Sequence, residues 1–162
     1  MPTTRVLDLH DLLTPDTVEV GLPGESKEEV IDHLINLLAG HRAIRDLDEL
    51  RDAIYERERI MSTGVGKGLA LPHAKTSAVR ESIAAFAVTK NPIEFGSIDN
   101  AQVRLIFLLV GTEAAKSEHI KILSRVSRLM NREQFRNRLL QAPDKFKILT
   151  IFEEGEADLL EG

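Results

Sequence analysis

A chain of 162 residues with a net charge of −5 has the length of one domain and enough of it to bury a sizeable core. The acidic balance argues against nucleic-acid and anionic-membrane partners, which attract basic surfaces. The absence of cysteine excludes disulfides, thiol nucleophiles and cysteine-ligated zinc, and it fits a reducing cytoplasm.

Met1 to His10 lacks the basic-then-apolar pattern of a secretion signal. Val18-Glu19-Val20, after the turn residues Thr14-Pro15-Asp16, reads as a short strand. Ser26-Lys27-Glu28-Glu29 has the form of a capping box. It opens a helix with Val30, Ile31, Leu34, Ile35, Leu37 and Leu38 as its apolar stripe, which Gly40 stops. Asp46 caps a second helix that carries Leu47, Leu50, Ile54 and Tyr55 inward and ends near Arg59.

A glycine-rich segment, Gly64-Val65-Gly66-Lys67-Gly68, leads into Leu69-Ala70-Leu71-Pro72-His73. It is not a Walker loop, because Met61 stands where the first glycine belongs and Gly68 replaces Ser or Thr. It is not G-x-G-x-x-G either, because position 69 is leucine. Two strands follow, Ile83–Thr89 and Val103–Val110, with turn residues and Phe95 between them. Their apolar runs, Ile83–Val88 and Leu105–Val110, are six residues each, too short to insert in a membrane. Ser117 is placed to cap a third helix, with His119, Ile122, Leu123, Val126, Leu129 and Met130 on one face. Asn131 is placed to cap a fourth, ending before Pro143, and a last helix covers Asp144 to Glu154. The acidic tail Gly155–Gly162 reads as frayed. Helices interleaved with strands predict an α/β fold: a three-layer α/β/α sandwich, a mixed sheet flanked by helices, in a single domain 1–162.

Five histidines are the main chemical resource. His10, His33 and His41 have no partner pattern and read as structural or surface residues. His73 follows Pro72, whose φ is fixed, and a run of glycines that permit positive φ and close approach to an anion. The residues leave two readings open: a constrained imidazole beside an anion-binding backbone of Gly64, Gly66 and Gly68, or a plain turn with a surface histidine. His119, in the first turn of its helix, is either a core-edge residue or a polar group set where a helix start favours phosphate. Arg57 and Arg59 complement a helix C-terminus, and a guanidinium there also suits phosphate oxygens. Lys121, Arg125, Arg128 and Arg132 form a helical stripe, either a solvated face or a docking surface for an acidic partner. His73 and His119 lack a clear third ligand, so no metal is expected.

The stretch from Ser62 to Thr76, Ser-Thr-Gly-Val-Gly-Lys-Gly-Leu-Ala-Leu-Pro-His-Ala-Lys-Thr, closely resembles the active-site signature of enzyme IIA domains of the bacterial phosphotransferase system. The class is the mannitol/fructose and nitrogen-regulatory one. Lys90–Asp99, Val103–Val110 and Glu118–Leu129, with a second histidine 46 residues after the first, extend the resemblance to about residues 6–153. It implies a sheet flanked by helices, phosphorylation of His73, and active-site roles for His119 and Arg57. It implies no cofactor and no metal. Its donor is the small histidine phosphocarrier protein, and its acceptor a IIB component serving fructose-type uptake. In a regulatory relative of the nitrogen type, the phosphoryl group instead switches binding to a target protein. Pro72-His73-Ala74-Lys75-Thr76 leans toward the fructose type. A IIA domain without fused IIB and IIC domains leans toward the regulator.

Overall fold

The computed structural model describes residues 8–161, apart from the side chains of His10, Leu160 and Glu161. Most of the reading of the chain start, and that of the His10 side chain, falls outside the described residues. In chain order the elements are α1 (Leu9–Leu12), β1 (Val18–Leu22), α2 (Lys27–Leu38), α3 (Leu47–Ile60), β2 (Gly64–Gly66) and β3 (Leu69–Ala70). Then come β4 (His73–Lys75), β5 (Ile83–Ile93), β6 (Val103–Gly111), α4 (Lys116–Met130), α5 (Glu133–Gln141) and α6 (Lys145–Glu161).

The two apolar runs form the centre of the sheet. β5 and β6 pair antiparallel, with Phe86 opposite Phe107 and Ala84 opposite Leu109. β1 lies parallel to β5, while β3 and β4 both run parallel to β6 along its other edge. β2 closes back on β3 antiparallel, so the sheet is mixed, in the order β1-β5-β6-β3-β2 with β4 also on β6. Side chains alternate across a strand. Phe86, Val88, Leu105, Phe107 and Leu109 therefore pack on one face with residues of α1, α4, α5 and α6. Ile83, Ala85, Ala87, Ile106, Leu108 and Val110 pack on the other with α2 and α3. Burial on both faces is why these strands read as continuous apolar runs. The result is a three-layer α/β/α sandwich.

Ser26 caps α2 by accepting the Glu29 N–H at 3.2 Å, and Asp46 caps α3 by accepting the Glu49 N–H at 3.1 Å. Two other caps differ from expectation. α4 begins behind Ala115 with no side-chain cap, and Asn131 ends α4 rather than opening α5. In these two places a polar residue stands two positions and one position, respectively, from the residue that caps the helix. α1 was not foreseen, since its single turn is too short to show a period.

The largest difference is the tail. α6 continues through Gly155 and the acidic residues to Glu161. Gly155 ends nothing: a Cβ there would lie 2.6 Å from the Phe135 ring and 3.0 Å from Leu129. The glycine thus lets α6 approach α4 and α5 closely. Glu156 is 3% exposed. It accepts the Leu9 N–H at 2.7 Å and an Arg125 Nη1 hydrogen bond at 3.1 Å. Arg125, which also pairs with Asp8, is thereby drawn out of the basic stripe and into the joint between α1, α4 and α6.

Glu156→Ala leaves the buried Leu9 N–H without its carboxylate acceptor, while Arg125 keeps Asp8. It is therefore expected to lower the unfolding free energy by about 1 to 3 kcal/mol, measured by urea denaturation. A loss near zero would mean that the tail frays after all.

Candidate active site

Pro72 interrupts the line of β3 and β4. It has no N–H for the sheet, yet its carbonyl accepts the Leu109 N–H at 3.0 Å, and the Leu71 N–H turns to the Thr63 carbonyl at 2.9 Å. The chain rejoins β6 at once, with His73 opposite Leu109. The His73 ring therefore stands on a strand end rather than a free loop. Its Nδ1 lies 2.7 Å from the Leu71 carbonyl oxygen. A carbonyl has no proton to give, so Nδ1 carries the hydrogen and Nε2 holds the lone pair.

His119, in the first turn of α4, faces His73 with ring centroids 5.5 Å apart and planes at 53°. It is 3% exposed. Gly111, the last residue of β6, makes room for it, since a Cβ there would sit 2.8 Å from His119 Nδ1. Neither ring nitrogen of His119 has a hydrogen-bond partner among the described residues. Buried polar groups are almost always paired, so this imidazole is built to meet something brought to it.

Burial pushes the His119 pKa down to about 4, and the neighbouring His73 and Lys75 add to the shift. Burial also lowers that of His73. Its hydrogen bond to Leu71 opposes this, the Arg57 charge adds to it, Glu58 opposes it and Lys75 adds to it. Both rings are consequently neutral at physiological pH.

Arg57, in the last turn of α3, donates from Nη1 to the Met61 carbonyl at 2.8 Å. It shares with both histidines a groove of about 560 Å³ whose walls include Ile60, Lys75, Ile120 and Leu123. The structure thus brings His73, His119 and Arg57 together and leaves Gly64, Gly66 and Gly68 outside that groove. Those glycines belong to the β2–β3 hairpin, where Lys67 at φ 58° and Gly68 at φ 78° make the left-handed pair a tight hairpin requires. Some of the hairpin's polar groups are already engaged. The Gly64 N–H donates to Ser62 Oγ and the Lys67 N–H to Asp99 Oδ2, while the Gly68 carbonyl accepts from Arg104 and Leu105.

Lys75, Gly111 and Glu58 were not singled out in the sequence. Lys75 was legible in principle, since two residues along a strand return to the same side. A larger cavity of about 850 Å³ is lined by Asp11, Asp16, Asn36, His41, Arg42 and Glu81. It has no facing imidazoles, and His41 Nδ1 is already bound by the Ala43 N–H at 3.1 Å. Among the described residues, no helix is long and apolar enough to cross a membrane, and no group of three or more His, Cys, Asp or Glu is placed to hold a metal.

Residues 11–155 match the model of the family described as phosphoenolpyruvate-dependent sugar phosphotransferase system, EIIA 2. The chain belongs to the EIIA 2 family. This EIIA 2 chain is 34% identical over 150 residues to the fructose-specific EIIABC component of Bacillus subtilis, covering 93% of its own length and 24% of that protein. It thus spans about a quarter of that relative. It is 34% identical over 138 residues to a nitrogen regulatory protein of Pseudomonas aeruginosa, covering 85% of itself and 90% of the relative. Its EIIA 2 fold superposes on the crystal structure of the nitrogen regulatory protein IIA-Ntr from Neisseria meningitidis with a TM-score of 0.83 at 26% identity, over 89% of this chain and 98% of that one.

The buried His119 ring links pH to stability. An unfolded histidine titrates at its ordinary 6.5, whereas folding holds this one near 4. Between those values the unfolded state binds the proton that the native state refuses. Stability contributed by His119 is thus complete above pH 6.5, falls through the window, and reaches a deficit of about 3 kcal/mol near pH 4. In urea melts, the stability difference between the wild type and His119→Gln should change by about that amount between pH 7.5 and pH 4. Parallel curves would contradict a buried neutral ring.

Proposed function

We propose that this EIIA 2 chain carries a phosphoryl group on Nε2 of His73. The observation that carries the reading is the imidazole pair, one ring locked as the Nδ1–H tautomer and the other buried with both nitrogens unpartnered. The lone pair of Nε2 attacks the phosphorus of a donor phosphohistidine. The new N–P bond forms as the old one breaks, and the donor imidazole leaves with that electron pair. No base is needed, because His73 is neutral and its proton stays on Nδ1, hydrogen-bonded to the Leu71 carbonyl. Phosphoryl transfer of this kind depends on alignment and on stabilising charge at the equatorial oxygens. His119 offers an N–H to one oxygen, while Arg57 and Lys75 bring positive charge to the groove.

The donor under this reading is the small histidine phosphocarrier protein, and the acceptor a cytoplasmic IIB component of a fructose-type sugar system. The Bacillus relative supports a fructose-type role. The Pseudomonas and Neisseria relatives favour a second reading. There the phosphoryl group is a switch: a dianion added to this partly apolar groove changes which target protein binds.

The test is intact-mass analysis after incubation with phosphoenolpyruvate, enzyme I and the small phosphocarrier. His73→Ala should gain no phosphoryl group. His119→Ala should still gain one, slowed by roughly 10²–10³ or less, as for one lost preorganised donor. Arg57→Ala should slow transfer while costing only ~0.3–1 kcal/mol of stability, as for a cation at a helix C-terminus. Phosphorylated His73→Ala would overturn the assignment. Transfer onward to IIB, against pull-down of a target that depends on phosphorylation state, separates the carrier from the switch.

A further inference from the structure

Glu58 is 7% exposed at the position where α3 continues its apolar stripe from Leu50 and Ile54. A carboxylate there is costly unless fully partnered. Its partners are specific. Oε2 accepts from Lys27 Nζ at 2.9 Å and from the Thr63 N–H at 2.9 Å, and Oε1 accepts from Thr63 Oγ1 at 2.5 Å. Both donors of Thr63 are thus held by one side chain. The Thr63 carbonyl in turn accepts the Leu71 N–H at 2.9 Å, and the Leu71 carbonyl accepts the His73 Nδ1–H at 2.7 Å. An unbroken chain of charge-assisted and backbone hydrogen bonds therefore runs from the buried carboxylate to the ring.

We propose that Glu58 is a positioning residue: it clamps Thr63, Thr63 fixes Leu71, and the Leu71 carbonyl holds His73 with Nδ1 protonated and Nε2 free to attack. The inference rests on His73 being the phosphoryl acceptor. Pairing of β4 with β6 orders the His73 backbone, but it leaves the ring free to rotate and to exchange tautomers. The bond to Leu71 fixes the ring, and Leu71 sits just before Pro72, where the chain leaves β3 and has only Thr63 to hold its N–H. Without the clamp, the backbone of Leu71 loses its anchor on the N–H side, and its φ and ψ no longer hold the carbonyl in place. The ring then samples the Nε2–H tautomer, which has no lone pair to present.

The experiment measures two things on each variant: the nitrogen-15 shifts of the His73 ring in the unphosphorylated protein, which report the tautomer, and the rate of phosphoryl uptake from the phosphorylated small carrier. Glu58→Ala and the milder Thr63→Val are expected to convert a single Nδ1–H tautomer into a mixture and to slow uptake roughly 10- to 100-fold, the scale of a misplaced reacting group. Thr63→Ser, which keeps the hydroxyl, should restore both readouts to wild-type values. Thr63→Val keeps the test open if Glu58→Ala fails to fold. A folded variant that retains the Nδ1–H ring, or one that loses it with uptake unchanged, overturns the proposal. A wild type that takes up no phosphoryl group overturns the carrier reading instead, and the tautomer shifts still decide whether the clamp exists.

Discussion

Strand β6 is held along both of its edges, and the rest of the molecule depends on that. β5 takes one edge, while β3 and β4 share the other. Every side chain from Leu105 to Val110 is buried, because each face of the strand is covered by its own layer of helices. That double burial fixes register on both sides: a slip of one residue would move the phenylalanine layer onto the side built for alanines. The same strand delivers the site. Leu109 sets the position of His73, and Gly111 opens the space that the His119 ring fills.

Two imidazoles this close and this buried resist protonation. Desolvation disfavours the imidazolium at either ring, a proton on one would repel a proton on the other, and the Lys75 charge lowers both pKa values further. The balance reverses when a doubly negative group enters. A phosphoryl group on His73 would meet positive side chains and a free N–H in a groove with apolar walls, where such contacts are stronger than in water. The site thus rests as a neutral pair, and under the proposed function its electrostatic partner is the incoming phosphoryl group. Glu58 stands on the opposite side of this balance. Its negative charge is partnered by Lys27 and Thr63, and it opposes the lowering of the His73 pKa only as a lesser cause, behind burial, the Leu71 hydrogen bond and Arg57.

Helices α2 and α3 were legible to the residue at their starts, because Ser26 and Asp46 are local hydrogen-bond devices that need no tertiary partner. Strands β5 and β6 were legible where their apolar runs lie, but β5 continues past Thr89 through a register shift to Ile93, where turn residues were expected. The starts of α4 and α5 were not: Ser117 and Asn131 look like caps, but packing of Ile122, Val126 and Leu129 on the sheet sets the helix boundaries around them. The glycines before His73 were legible as a turn. Their tight hairpin spacing resembled an anion loop because both need left-handed backbone, and spacing by itself does not distinguish them.

What the sequence by itself determined was local: caps, periods, a proline with fixed φ, and a histidine behind it. The α/β class followed from the order of those elements. The tertiary structure alone decided which distant groups meet. His73 and His119 converge because β4 and the end of β6 lie side by side, a fact of pairing that no local pattern encodes. Glu58 goes unmarked in the sequence until its carboxylate is seen against Thr63. Gly155 reads as a helix stop until the Phe135 ring is seen pressed against it, and Glu156 as a solvated tail charge until Leu9 and Arg125 are found on it. In each case the physical reason is the same. Burial of a charge, a ring or a bare backbone is set by what lies across the fold, and partners far apart in the chain leave no periodic trace in it.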